Sequence, residues 1–152
     1  MKISKCMKRN VISIPDTSTI REAAAVFVQN HVGLLPVVDK DDKPIGVVGL
    51  RDLLSLQLPD FVNFVADLDF VHDFGAVETT LPPSGTLDVS IETFLKPAVT
   101  VHEDSGLLRA YALMLQHDLH DMPVVSEDGK LVGVASRVDI GTTILSAWIR
   151  SE

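Results

Sequence analysis

Short apolar runs and helical stripes alternate along this chain, in the same order twice. VISI at 11–14 and VTV at 99–101 predict short strands, each followed by polar residues, PDTST and HEDSG, that suit the start of a helix. The helix that follows carries Ile20, Ala23, Ala24, Phe27 and Val28 at helical spacing, and Leu107, Ala110, Tyr111, Met114 and Leu115 repeat the stripe. LLPVVD and MPVVS read as buried strands, Asp41-Asp42 and Asp128-Gly129 as hairpin turns, and IGVVGL and LVGVAS as the returning strands. A second helix is expected to begin near Leu50 and again near Arg137.

The doubled pattern is an internal repeat. A shift of 87 positions superposes residues 11–54 on 98–141 without a gap, with 12 of 44 positions identical. Identity gathers in the strands and turns, at Pro36/Pro123, Val37/Val124, Val38/Val125, Asp41/Asp128, Gly46/Gly133, Val47/Val134 and Asp52/Asp139. Two related units of strand, helix, strand, hairpin, strand and helix are expected to fold alike and pack against each other.

Residues 55–93 have no counterpart before residue 11 in this register. Within them Leu58, Phe61, Val62, Val65, Leu68 and Val71 recur three or four apart, with Asp60, Asp67, Asp69 and Asp73 on a polar side, which predicts an amphipathic helix ended by LPPSG at 81–85. Such a helix is either a connector packed on the repeats or a surface for a second subunit. The connector is the default reading, since apolar stripes usually face a core; the phenylalanines at 61, 64, 70 and 74, which cannot all share one face, are the argument for the second use.

With its Ala-rich helices, hydrophobic-Pro-Val-Val strands, acidic hairpins, Gly-Val pairs and closing x-x-Asp, the chain resembles a tandem pair of CBS (cystathionine-beta-synthase) domains, a Bateman module. The resemblance covers residues 3–54 and 90–149. It implies an α/β (α+β) fold of two β-α-β-β-α units, packed through their sheets about a pseudo-twofold axis with two clefts between them. The expected division is 1–54 for the first motif, 55–89 for a helical acidic and aromatic connector, and 90–152 for the second motif with its C-terminal helix. The resemblance further implies a regulatory module, commonly a homodimer, whose clefts hold an adenine nucleotide such as AMP, ADP, ATP or S-adenosylmethionine. Such a ligand is regulatory, no cofactor being obligatory.

In that family the hydroxyl and carboxylate of a Ser/Thr-x-x-Asp motif meet the nucleotide's ribose and phosphate. Ser136 and Asp139 match it residue by residue, and Arg137 between them is the expected cation. The chemistry is sound, since a carboxylate accepts from both hydroxyls of a vicinal diol while a hydroxyl and amides at a helix start face a phosphate. The same residues also read as a capping box, and the two roles can coexist. Thr100, His120, Met122 and Pro123 complete the expected second cleft. The first cleft has Asp52, Arg51, Ser13, Leu35 and Pro36, but Gly49 stands where the second has Ser136, so it is expected to be the weaker.

Composition narrows the alternatives. Net charge is -8, with 21 acidic against 13 basic residues, which disfavours nucleic acid but leaves room for a small anion held by one or two cations. The one cysteine, Cys6, can form no internal disulfide and has no neighbouring constellation that would make it a nucleophile. The basic start MKISKCMKRN lacks the apolar stretch of a signal peptide, and no run is long enough to cross a membrane, so a cytoplasmic protein is expected. His117 and His120, with Asp118 or Asp121, have a spacing that zinc could use if the helix continued through them. No nucleophile elbow or phosphate-binding glycine loop is present, which argues against an enzyme. The remaining alternative is a dimerisation module with empty clefts, using the connector and the final helix ILSAWIRS, where Trp148 would be an anchor. Any output must reach an effector protein in trans.

Overall fold

The computed structural model describes residues 1–64 and 67–150. The first unit runs β1 (Ile14–Pro15), α1 (Ile20–Asn30), β2 (Leu34–Val38), β3 (Pro44–Gly49) and α2 (Leu50–Leu54). After the connector, which includes α3 (Ser84–Leu87), the second unit runs β4 (Val101–His102), α4 (Leu107–Gln116), β5 (Asp121–Val125), β6 (Leu131–Ser136) and α5 (Arg137–Ile149). Each unit has a three-stranded sheet with β2 or β5 in the centre, parallel to the short first strand and antiparallel to the third. The registers match across the repeat: Pro36 faces Val47 and Pro123 faces Val134.

Local chemistry explains the helix limits. Thr19 Oγ1 accepts the Glu22 amide at 3.1 Å at the start of α1, satisfying an N–H that has no partner inside the helix. The helices end where the backbone turns left-handed at the equivalent residues His31 and Asp118, both with φ of 52°. Ile20, Ala23 and Phe27 of α1, like Leu107, Ala110 and Met114 of α4, are buried. Val28 and Leu115, expected on the same face, are instead 74% and 56% exposed, because the core takes a narrower stripe at positions i, i+3 and i+7.

Two further expectations are corrected. The first strands are only two residues long, at Ile14–Pro15 and Val101–His102, because Val11 and Ile12 line a cleft between the units instead of pairing in the sheet. The long amphipathic connector helix does not form: a 3-10 turn spans Asp60–Phe64, another spans Gly75–Thr79, and irregular chain lies between them in the described part. Val65 of the expected stripe lies outside the described residues. Aspartates compete for the backbone here, Asp67 Oδ1 accepting the Asp69 amide at 2.8 Å and Asp73 Oδ1 the Gly75 amide at 2.7 Å. Phe61 meets Phe74 edge to face at 5.1 Å, so the segment doubles back on itself.

The units exchange their leading segments. Ile3 and Met7 are buried in the core of the second unit with Met114, Met122 and Ile140, although the sequence places residues 1–10 with the first. Reciprocally, Ile91 is buried in the core of the first unit with Phe27 and Leu35. The anchoring hydrogen bonds are equivalent in the two units: the Ile3 amide donates to Ser105 O at 2.8 Å, and the Ile91 amide donates to Ser18 O at 3.0 Å. Lys8 then bridges Val134, and Lys96 bridges Val47. Residues 3–8 thus correspond to 91–96 under a shift of 88, one residue out of the main register, with Ile3/Ile91 and Lys8/Lys96 identical.

Candidate functional site

Both closing strands run directly into a helix, and each motif aspartate sits in the first turn of that helix. At the second corner Ser136 Oγ accepts the Asp139 amide at 3.0 Å and Asp139 Oδ2 accepts the Ser136 amide at 3.1 Å, a reciprocal cap. The Asp139 side chain is 18% exposed, and its other oxygen, Oδ1, has no hydrogen-bond or ion-pair partner among the described residues. At the first corner Asp52 Oδ2 accepts the Gly49 amide at 3.3 Å, and Gly49 has no hydroxyl to return the bond. Here Lys96 Nζ lies 2.7 Å from Oδ1, so both oxygens of Asp52, 16% exposed, are engaged.

The cations come from the exchanged segments, not from the motif. Lys8 Nζ lies 3.9 Å from Asp139 Oδ2, the counterpart of Lys96 beside Asp52. Arg137 is turned away: its Nε donates to Leu119 O at 2.5 Å and its Nη2 lies 3.3 Å from Asp118 Oδ1. Arg51 is exposed on α2. The two lysines do not align at the main repeat shift of 87, and only their identity at a shift of 88 marks them in the sequence.

A cleft of about 190 Å³ lies between the units. It is lined by Lys8, Asn10, Val11 and Ile12 of the crossing segment, by residues 31–34 between α1 and β2, and by Asp121 and Val134. Asp121 is half-buried at the start of β5. Burial pushes its carboxyl above the usual carboxylate range; Lys8 and His120 pull it back and Asp139 adds to the rise. Cys6 is also partly buried, which raises its thiol, while a hydrogen bond from Thr143 lowers it and Asp139 raises it further. That environment disfavours the thiolate.

The expected site residues do not all converge. Leu35 and Met122 are fully buried in the two separate cores. Pro36 and Pro123 are likewise fully buried in the central strands. Thr100 lines a separate hollow of about 370 Å³ with His102, Ser105 and Arg109 at the start of α4. Ser13 is half-buried before β1 and His120 is exposed, its carbonyl accepting the Arg137 amide at 3.0 Å. A larger hollow of about 480 Å³, lined by Phe27, Val28, His31, Val32, Gly33 and Leu50, is mostly apolar. Neither it nor the 190 Å³ cleft is lined by a motif aspartate; Asp139 stands beside the cleft, 3.9 Å from the Lys8 ammonium that lines it. The left-handed turn at Asp118 ends the helix before His120, and Asp118 is paired with Arg137. Among the described residues no group of three His, Cys, Asp or Glu side chains is placed to hold a metal ion, and no helix is long and apolar enough to cross a membrane.

This architecture is a known one. The CBS domain family model matches residues 3–58 and 80–145. The CBS domain-containing protein CBSX1, chloroplastic, of Arabidopsis thaliana is 30% identical over 140 residues, covering 88% of this chain and 58% of that protein. An uncharacterised protein of Methanocaldococcus jannaschii, MJ1404, is 31% identical over 140 residues, covering 91% of this chain and 31% of its own length. The chain therefore spans only about a third to three fifths of these curated relatives. Among solved structures, the CBS domain protein PAE2072 from Pyrobaculum aerophilum, complexed with AMP, superposes with a TM-score of 0.71 at 27% identity, covering 99% of this chain and 100% of that one. The CBS domain pair of protein MJ0100, in complex with 5′-methylthioadenosine and S-adenosylmethionine, superposes at 0.70 with 18% identity, covering 97% and 98%. Two matched segments, the exchanged leading segments and two equivalent Asp-bearing corners place this chain in the CBS domain family, as a tandem pair.

Proposed function

We propose that the protein is a regulatory module that binds one adenine nucleotide per chain, in the cleft beside Asp139, and transmits occupancy to an effector protein in trans. The observation that carries this reading is the difference between the two aspartates. Asp139 Oδ1 has no partner among the described residues and is left to accept from a ribose diol, whereas Asp52 has both oxygens engaged by Gly49 and Lys96. Ligands in the similar proteins, AMP in one and methylthioadenosine with S-adenosylmethionine in another, support the same ligand class. The cleft is smaller than the roughly 300 Å³ at which drug-sized sites begin, so it accepts a nucleoside only by separating the units slightly. That separation is the proposed signal, because a ligand shifts a conformational equilibrium only through unequal affinity for its two states.

Thermal melting with AMP, ADP, ATP, 5′-methylthioadenosine and S-adenosylmethionine tests the reading. A ligand at about 100 times its Kd should stabilise the fold by roughly 2.7 kcal/mol, with calorimetry giving one ligand per chain. A flat panel at millimolar concentrations would favour the dimerisation reading. For that second reading the relevant observation is the exposure of apolar side chains at the equivalent positions Val28 and Leu115 and at Leu145 and Ile149 on α5. It forms part of the proposal as a homodimer contact. Sedimentation equilibrium should give twice the chain mass, and Leu115→Glu should shift the protein towards monomer; a monomeric wild type would remove the contact.

A further inference from the structure

We propose that Asp121 is a specificity residue, making the cleft beside Asp139 select adenosine ligands with a neutral or positively charged 5′ substituent over nucleoside phosphates; this rests on the nucleotide-binding reading above. The cleft contains one lysine, Lys8, whose ammonium already lies 3.9 Å from Asp139 Oδ2. Asp121 lines the same cleft and adds a second carboxylate within electrostatic reach of both. Arg137, which would offset it, is committed to Asp118 and to the Leu119 carbonyl. Asp121 in the lining and Asp139 beside it, against the single ammonium of Lys8, give this side of the cleft an excess of negative charge. A 5′-phosphate would add to that excess in a partly enclosed space where screening is weaker than in water. A sulfonium or a thioether would not.

The repeat supplies an internal comparison. Asp121 pairs with Ser136 in the second sheet as Leu34 pairs with Gly49 in the first. The strand start therefore tolerates a leucine, and the fold does not require an acid there. An acid in this position opposes stability, because partial burial disfavours its charged form. A destabilising charge that lines a ligand cleft is the pattern expected of a functional group. Gly33 faces it across the cleft, where a Cβ would lie 3.9 Å from Asp121 Oδ2.

The test is calorimetric titration of the full chain with AMP, adenosine, 5′-methylthioadenosine and S-adenosylmethionine, in wild type and in Asp121→Asn. Asparagine is isosteric and removes the charge, and its melting curve reports that the fold is retained. The expected result is that wild type prefers methylthioadenosine and S-adenosylmethionine to AMP. Asp121→Asn should raise AMP affinity about tenfold, weaken S-adenosylmethionine, and leave adenosine within about threefold. Binding with an unchanged ratio of AMP to methylthioadenosine affinity would overturn the inference alone. Failure of both proteins to bind any of the four would overturn the nucleotide-binding reading, and the inference with it.

Discussion

Replacing Gly46 with alanine should destabilise the protein by about 2–3 kcal/mol, more than its counterpart Gly133→Ala. Neither glycine has positive φ, so the reason is space rather than backbone freedom. A Cβ on Gly46 would lie 2.5 Å from Leu95 Cδ1 and 2.7 Å from the Lys96 carbonyl oxygen. That carbonyl is held by the Val47 amide at 2.9 Å, and Lys96 N donates back to Val47 O at 2.9 Å, so relief requires the exchanged segment to leave the sheet. At Gly133 the nearest atom is Met7 Sδ at 2.6 Å, the flexible part of a side chain, with the Lys8 carbonyl at 3.0 Å. Methionine can move where a backbone carbonyl cannot, which sets the order of the two effects. Urea denaturation of both variants checks it. A Gly46→Ala protein within about 0.5 kcal/mol of wild type would show that the close approach of the segment contributes little.

Asp139→Ala should lower affinity for 5′-methylthioadenosine about 100-fold while reducing stability by only ~1 kcal/mol. The affinity loss follows from removing an anionic acceptor for two ribose hydroxyls, each charge-assisted bond contributing roughly 1.5–3 kcal/mol. The stability loss is that of half a capping box, since Ser136 Oγ still accepts the amide of residue 139. A ligand without phosphate is the informative probe, because removing the carboxylate also frees Lys8 and would partly compensate for an anion. Asp52→Ala should leave affinity nearly unchanged, its carboxylate being engaged by Lys96. Equal losses in the two variants, measured by calorimetry, would contradict a single preferred cleft.

The corners tested by these substitutions were legible as sequence, and their surroundings were not. Ser136 and Asp139 identify themselves because the cap and the proposed ribose clamp draw on the same local geometry, four residues at a helix start. Arg137 was the natural choice of cation by adjacency, yet a neighbour in sequence at a helix start points elsewhere, here towards Asp118. Leu35 and Met122 adjoin the prolines of the motif, but strand alternation sends their side chains into the cores. The connector failed as a helix because its spacing satisfied the periodicity while its aspartates hydrogen-bonded the backbone in turns.

What the sequence determined by itself is the repeated unit: its helices, hairpins and strand registers all depend on contacts within about 40 residues, which periodicity, turn residues and capping residues encode directly. What only the tertiary structure decided is which segment completes which unit. Residues 1–8 fill the second core and residues 91–96 the first, bringing Lys8 to Asp139 across the chain and Lys96 to Asp52. Those pairings cross between units through apolar burial and backbone bridges, interactions that carry no local periodicity. For the same reason Lys8, Asp121 and Asp139 come within electrostatic reach of one another only once the leading segment has docked on the second unit.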